Sequence, residues 1–270
     1  MGVFSIQTKL DAVFLDIDGT ILKNGILIPS AKHAIRELHE SQIPVILCTG
    51  RSVLHTGYIR AALQVTLSVH FNGALALANG DAVYRQPLPK EAVRGLMRLA
   101  EQRHFSYVLH SQDKAWVTQE LSKELLTLLK RYDFPALSPT SLEDVAKSRV
   151  PVYQMNWFAD GAEDVELRAV FPGCSLHRWE AQGLDIQAAG CDKSVAALAL
   201  LDHLGLSAER AVHIGDGTND IGMFRTMGYS VAMGNATKAV QEEACWVTAP
   251  VDEDGVYLAL QQLQLVPFLR

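Results

Sequence analysis

The chain has no uninterrupted apolar stretch near the roughly 18 residues that a membrane-spanning helix needs. Nor does a charged segment followed by a long apolar one open it, so neither a membrane span nor a secretion signal is expected. Cysteine is scarce. Cys48, Cys174, Cys191 and Cys245 are scattered without CxxC spacing, which argues against a zinc site or a disulfide framework and for reduced, packed thiols in a cytoplasmic protein. Positive charge is not in excess: 24 Lys and Arg face 30 Asp and Glu, a net charge of −6. No basic stripe is available for sequence-independent nucleic-acid binding. The GxGxxG and GxxxxGK[ST] nucleotide motifs are absent, and Asp216 to Ile221 lacks the glycine an EF-hand places sixth. There are no repeats and no low-complexity segments. With 49% hydrophobic and 20% charged residues in 270, the chain can bury a substantial core, and its length suggests a soluble globular protein of two domains.

What is present is charge where burial would be expected. In Val13-Phe14-Leu15-Asp16-Ile17-Asp18-Gly19-Thr20, two acids end an apolar run that reads as a buried strand. A carboxylate there costs desolvation unless a cation or hydrogen-bond donors meet it. A DxDG turn closing the strand is the alternative when the pair is taken alone. Three further segments pass abruptly from apolar or small residues to polar ones: Val45 to Gly50, Gly190 to Lys193, and Val212 to Asp220. In an open parallel sheet such strand ends converge outside the carboxyl edge, where ligands bind. An acid pair, a hydroxyl (Thr49), a lysine (Lys193) and further acids make a phosphoryl-transfer set.

The motifs DxDGT, Thr-Gly-Arg after the second strand, a lone lysine after a glycine, and Gly215-Asp216-Gly217-Thr218-Asn219-Asp220 occur in that order, followed by Ser230 to Ala236. In this order they resemble the haloacid dehalogenase superfamily of phosphatases, and more narrowly its Cof-type (type IIB cap) branch. Asn72-Gly73-Ala74 also matches the branch pattern. The matches cover roughly Asp11 to Gly80 and Gly183 to the C-terminus; between them the chain is similar mainly in length and position. The resemblance implies an α/β fold, a Rossmann-like parallel-sheet core over residues 1–84 and 184–270, with an α+β cap inserted at 85–183 that selects the substrate.

The resemblance also implies roles. Asp16 would form an aspartyl-phosphate, and Asp18 would protonate the leaving alcohol and then activate water. Their spacing suits this, because residues i and i+2 of an extended segment point the same way. Attack by a carboxylate on a phosphate adds repulsion of roughly 4 kcal/mol for one charge pair at about 4 Å and an effective dielectric near 20, so a divalent cation is needed. Mg²⁺ suits hard oxygen ligands. Asp16, Asp216 and the main-chain carbonyl of Asp18 would hold it. Thr49, Gly50, Lys193 and Asn219 would bind the phosphate, although Thr49 alone reads equally as a helix cap and Lys193 alone as a solvated lysine. Asp220 would brace the loop or Lys193.

Between the motifs, Ser30 to Gln42 and Ser52 to Leu63 read as helices of a βαβ rhythm, and Asn72-Gly73 and Asn79-Gly80 as hairpin-like turns. Beyond Pro87 and Pro89, strands at Phe105 to His110, Trp116 to Thr118, Tyr153 to Phe158 and Cys174 to Trp179 mix with helices, as in a sheet covered by helices on one face. The core resumes near Leu184-Asp185-Ile186. His110, Trp116, Trp157, His177 and Trp179 are candidates for substrate contact, although each taken singly reads first as packing. The expected function is Mg²⁺-dependent hydrolysis of a small phosphorylated metabolite, a sugar phosphate or phosphorylated cofactor. A phosphotransferase or mutase with the same intermediate, and a non-catalytic phosphometabolite-binding protein, are the other readings.

Overall fold

The computed structural model describes residues 10–267. In chain order, β1 (Ala12–Leu15) leads to a small hairpin, β2 (Leu22–Lys23) and β3 (Ile26–Leu27). Then come α1 (Pro29–Glu40), β4 (Val45–Cys48), α2 (Gly57–Leu63), β5 (Leu67–His70), β6 (Leu75–Ala78) and β7 (Asp81–Arg85). The next elements are α3 (Lys90–Arg103), β8 (Ser106–His110), β9 (Ala115–Val117), α4 (Lys123–Arg131), β10 (Ser138–Pro139), α5 (Leu142–Lys147), β11 (Gln154–Phe158), α6 (Asp164–Val170), β12 (Cys174–Glu180) and β13 (Gly183–Ala188). The chain closes with α7 (Lys193–Leu204), β14 (Ala211–Gly215), α8 (Ile221–Thr226), β15 (Tyr229–Ala232), α9 (Lys238–Gln241), β16 (Trp246–Val247) and α10 (Gly255–Gln262).

Two compact units result. The first comprises residues up to Gly50, Tyr58–Tyr84 and Asp192 onward. Its eight-stranded sheet runs β16-β15-β14-β1-β4-β5-β6-β7, and from β16 through β5 every pairing is parallel. The central strands are apolar throughout because both faces are covered. In α1, buried Ala31, Ala34, Ile35 and Leu38 recur at helical spacing, and Pro29 occupies the first turn, where its missing N–H costs nothing. β5 and β6 pair antiparallel through the Phe71–Gly73 turn, and Asn79-Gly80 joins β6 to β7, as their turn chemistry predicts.

The second unit comprises Arg51–Gly57 and Arg85–Cys191. Its six-stranded sheet runs β10-β9-β8-β11-β13-β12. Two readings change here. Leu184 to Ile186 does not resume the first sheet: β13 pairs antiparallel with both β11 and β12, so residue 183 is no boundary and the unit continues to Cys191. Helices also meet both faces. Val93, Leu96 and Met97 of α3 pack on Tyr107, Met155, Trp157 and Ile186, whereas Leu125, Leu128 and Leu129 of α4 join Val108 and Phe158 on the opposite face.

That opposite face also carries a polar row with no counterpart among the apolar positions beside it. His110, Gln154, Asn156, Asp185 and Gln187 are all buried. His110 Nε2 donates to Asn156 Oδ1 at 2.6 Å, Asn156 Nδ2 donates to Asp185 Oδ1 at 2.5 Å, and Gln187 donates to Gln154 at 3.1 Å. Burial pushes the Asp185 carboxyl up to about 7, against its amide donors, and pushes His110 down to about 4. The two shifts have opposite linkage. Asp185 contributes stability below its unfolded value of 3.8 that is lost as pH rises towards 7; His110 contributes stability above 6.5 that is lost as pH falls towards 4. Between about pH 4 and 6.5 these slopes cancel, so the pair adds almost no pH dependence in the wild type. Single substitutions are expected to unmask them. Asp185→Asn should lose stability with acid by about 3 kcal/mol over the His110 window, and His110→Gln should lose about 4 kcal/mol as pH rises through the Asp185 window. Urea unfolding from about pH 5 to about pH 8 checks the signs, and slopes of the same sign in both variants would contradict the assignment.

Candidate active site

Three neighbouring parallel strands, β14, β1 and β4, end on one edge of the first sheet. Asp216 follows β14, Asp16 follows β1 and Thr49 follows β4. Lys193 is the first residue of α7, whose start is fixed by the Asp192 side chain accepting the Ser194 N–H at 2.8 Å. Sequence positions nearly 200 residues apart therefore meet at the carboxyl end of a parallel sheet.

Lys193 is the hub. Its ammonium, only 1% exposed, donates to Asp16 Oδ1 and to Asp220 Oδ1, each at 2.8 Å. Burial alone would lower its pKa, but the Asp16 and Asp220 carboxylates hold it above the usual lysine range. Asp220 is saturated with donors: Oδ1 accepts from Lys193 and from His213 Nε2 at 2.9 Å, and Oδ2 accepts the N–H groups of Asp216 at 3.1 Å and Gly217 at 2.9 Å. Burial would raise its carboxyl, yet Lys193 and His213 hold it well below the usual carboxylate range. Both expected roles of Asp220, bracing the loop and bracing the lysine, are met by one side chain.

Asp16 is in the opposite state. Burial pushes its carboxyl well up, Lys193 opposes this, and Asp220 and Asp216 push it further. Asp216 is pushed up to about 6 by burial and by Asp220, against a hydrogen bond from Thr20. Ligand atoms of Asp16, Asp216 and Asp220 lie within 4.8 Å of one another. Three carboxylates and one lysine leave the cluster short of positive charge, and every donor is a hard oxygen, so the residues fit a divalent cation such as Mg²⁺. Asp220 takes four N–H donors, against one side-chain donor on Asp16 and two on Asp216, so Asp16 and Asp216 are the pair better able to hold it.

The turn after β1 is shaped by glycine. Gly19 has φ +75°, and a Cβ there would lie 2.1 Å from Asp216 Oδ2, so only glycine brings the turn this close to the acid. The same turn leaves the Asp18 residue exposed, one step from the buried Asp16. Thr49 is buried; its main-chain N–H donates to Val69 and its carbonyl accepts from Asn72. Gly50 lies against the Asn72 amide, which also accepts from Asn219 Nδ2 at 2.9 Å.

Sequence reasoning gave no role to four of these groups. Thr20 Oγ1 donates to Asp216 Oδ1 at 3.2 Å. Asn235 ties the site together, its amide donating to the Gly19 carbonyl at 2.9 Å and to Asp216 Oδ2 at 3.2 Å while its oxygen accepts the Val251 N–H at 2.8 Å. The signal for Asn235 was there: it follows Ser230 to Met233, another apolar run ending in a polar residue. His213 was visible as a lone polar residue inside a buried strand, and Asn72 as one half of a turn dipeptide.

The family model of the haloacid dehalogenase-like hydrolases matches residues 13–260. The chain belongs to that family. Among solved structures, a protein from Geobacillus kaustophilus is 30% identical over 96% of this chain and 100% of its own, with a TM-score of 0.86. A sugar phosphatase of HAD subclass IIB is 26% identical over 96% of this chain and 100% of its own, with a TM-score of 0.84. The Bacillus subtilis 5-amino-6-(5-phospho-D-ribitylamino)uracil phosphatase YitU is 28% identical, covering 95% of this chain and 98% of that protein. For this hydrolase family the observed parallel-sheet unit and second α+β unit are the expected architecture. None of the described helices is long and apolar enough to cross a membrane.

Proposed function

We propose that this chain is a Mg²⁺-dependent phosphatase that hydrolyses the monoester of a small hydroxyl-rich metabolite. The observation that carries the reading is the buried Lys193 held 2.8 Å from Asp16, whose ligand atoms lie within 4.8 Å of those of Asp216. A buried lysine against a strand-end carboxylate has no packing purpose, and together they suit a nucleophile aimed at a phosphate.

In this reading an Asp16 carboxylate oxygen attacks phosphorus and the bond to the leaving oxygen breaks, while Asp18 gives that oxygen a proton. Asp18 then takes a proton from water, the water oxygen attacks the phosphoryl group, and Asp16 leaves as a carboxylate with orthophosphate as product. Thr49 and Gly50 hold the phosphate, Lys193 balances its charge and orients Asp16, and Asn219 adds an amide. Asp16, Asp216 and the Asp18 carbonyl would hold Mg²⁺, which when bound would supply Lewis-acid stabilisation of the phosphoryl oxygens.

Core residues see only the phosphate, so the rest of the ester must be chosen elsewhere. We assign that choice to the inserted unit, which runs to Cys191. The class of ester, one rich in sugar or ribityl hydroxyls, is inferred from similar proteins and not from the buried row of His110, Gln154, Asn156, Asp185 and Gln187, whose side chains bond one another. The sugar phosphatase and the ribitylaminouracil phosphatase to which the chain is similar both act on such esters. The four free cysteines suit a reducing cytoplasm.

The test is phosphate release from a panel of sugar, polyol and nucleotide monophosphates, with and without Mg²⁺. Metal-dependent release ranked highest on polyol or sugar esters is expected. A phosphorylated acceptor in place of free phosphate would make the chain a phosphotransferase, and no release from any ester by folded, Mg²⁺-loaded protein would overturn the reading.

A further inference from the structure

Asn72 is the centre of the turn between β5 and β6 and carries a buried side-chain N–H that no group in the turn satisfies. Phe71, Asn72 and Gly73 take φ of 54°, 52° and 100° in succession; glycine and asparagine tolerate the left-handed region, but for Phe71 it costs about 1–2 kcal/mol. Asn72 is only 8% exposed, and its Nδ2 is buried without a hydrogen-bond partner. A buried, unsatisfied donor adds a further cost. A strained turn that carries a buried, unpaired donor points to a use outside the packing.

The turn's neighbours show what that use is. A Cβ on Gly73 would lie 2.1 Å from the Asp192 carbonyl oxygen and 2.8 Å from the Lys193 nitrogen, so the turn presses on the start of α7. The Asn72 N–H donates to the Thr49 carbonyl at 3.1 Å. A Cβ on Gly50 would meet Asn72 Oδ1 at 2.8 Å, and the same oxygen accepts from Asn219 Nδ2 at 2.9 Å. Asn72 thus touches Thr49, Gly50 and Asn219, and its turn abuts Lys193: the four groups given to the phosphate. Only the contact to Asn219 is a hydrogen bond between side chains. Without it, the Asn219 amide in the short Thr218–Asp220 turn is free to rotate away.

We propose that Asn72 is a positioning residue of the phosphate pocket that acts by fixing the side-chain amide of Asn219. The proposal rests on the phosphatase reading only in taking the bound anion to be phosphate. The strained turn keeps the short side chain in reach, and the pocket receives an amide already oriented.

Equilibrium dialysis of radiolabelled orthophosphate against the Mg²⁺-loaded chain tests this without requiring turnover. Asn72→Gly keeps the left-handed turn, since glycine tolerates it, and deletes the amide. Asn219→Ala deletes the partner. Each single variant is expected to bind orthophosphate about 10-fold more weakly, and the double variant no more weakly than Asn219→Ala alone. Unchanged affinity in Asn72→Gly, losses that multiply in the double variant, or a wild type that binds no orthophosphate would each overturn the proposal. A purely structural role would move the melting temperature and leave the affinity in place. Coupled binding in a protein that releases phosphate from no ester would uphold Asn72 and refute the phosphatase reading, so the two fail separately.

Discussion

Replacing Asp16 with asparagine is expected to lower kcat by at least about 10⁴-fold while leaving the protein folded and able to bind orthophosphate. The amide has nearly the shape of the carboxylate and keeps an oxygen for the Lys193 ammonium, now 2.8 Å from Asp16 Oδ1. What it lacks is the lone-pair charge that attacks phosphorus. Stability should change little: Lys193 favours a charge at this position, but burial, which is the larger effect, together with Asp220 and Asp216 disfavours it, and the neutral side chain avoids that penalty. Acid-quenched wild type mixed with substrate should carry covalent phosphate, and Asp16→Asn should carry none. Labelling that survives the substitution, or a kcat within about 10-fold of wild type, would place the nucleophile elsewhere.

Lys193→Met should damage both activity and stability, the latter by about 3–5 kcal/mol, because it strands two buried carboxylates without their cation. Methionine fills much of the same volume, so the loss is electrostatic rather than a cavity effect. The sign of its pH dependence follows. Without the lysine, burial and mutual repulsion raise the carboxyls in the folded state, so the variant regains stability as pH falls and they take up protons. Adding Asp16→Asn should recover part of the loss, since one of the stranded charges is then gone. Urea unfolding of the two single variants and the double variant measures this coupling. An additive double variant, or a Lys193→Met protein as stable as wild type, would mean that the ammonium is not the counter-ion the 2.8 Å contacts describe.

The first unit was legible because its strands stop where polar residues begin. Asp16, Thr49 and Asp216 each close an apolar run, and a parallel sheet turns that one-dimensional pattern into a shared edge. Lys193 carried a weaker signal, since a lysine at a helix start is ordinarily solvated; only the fold buries it. Asn235 and His213 stood out as polar residues in or after apolar runs, but their partners lie 19 and 7 residues away, and a hydrogen bond at such a separation leaves no periodicity that would give it a role. The expected helix from Ser52 begins at Gly57, after turns bonded locally through the Ser52 and Thr56 side chains, a competition with the helix that such hydroxyls commonly win. β13 was misassigned because Leu184 and Ile186 alternate with polar partners as any half-buried strand does. Alternation gives a strand but not the sheet to which it belongs.

Strand β1 has one neighbour, β4, about 30 positions away and the other, β14, about 200 positions away. During synthesis the central strand of the first sheet therefore emerges early with one edge unpaired, and that edge stays open until nearly four-fifths of the chain has been made. The six-stranded sheet, drawn from one continuous stretch, completes its pairings first. The nascent chain thus carries a finished inserted domain while its catalytic sheet is still an open template for strand addition, a vulnerability to aggregation imposed by the order of strands along the chain rather than by the final structure.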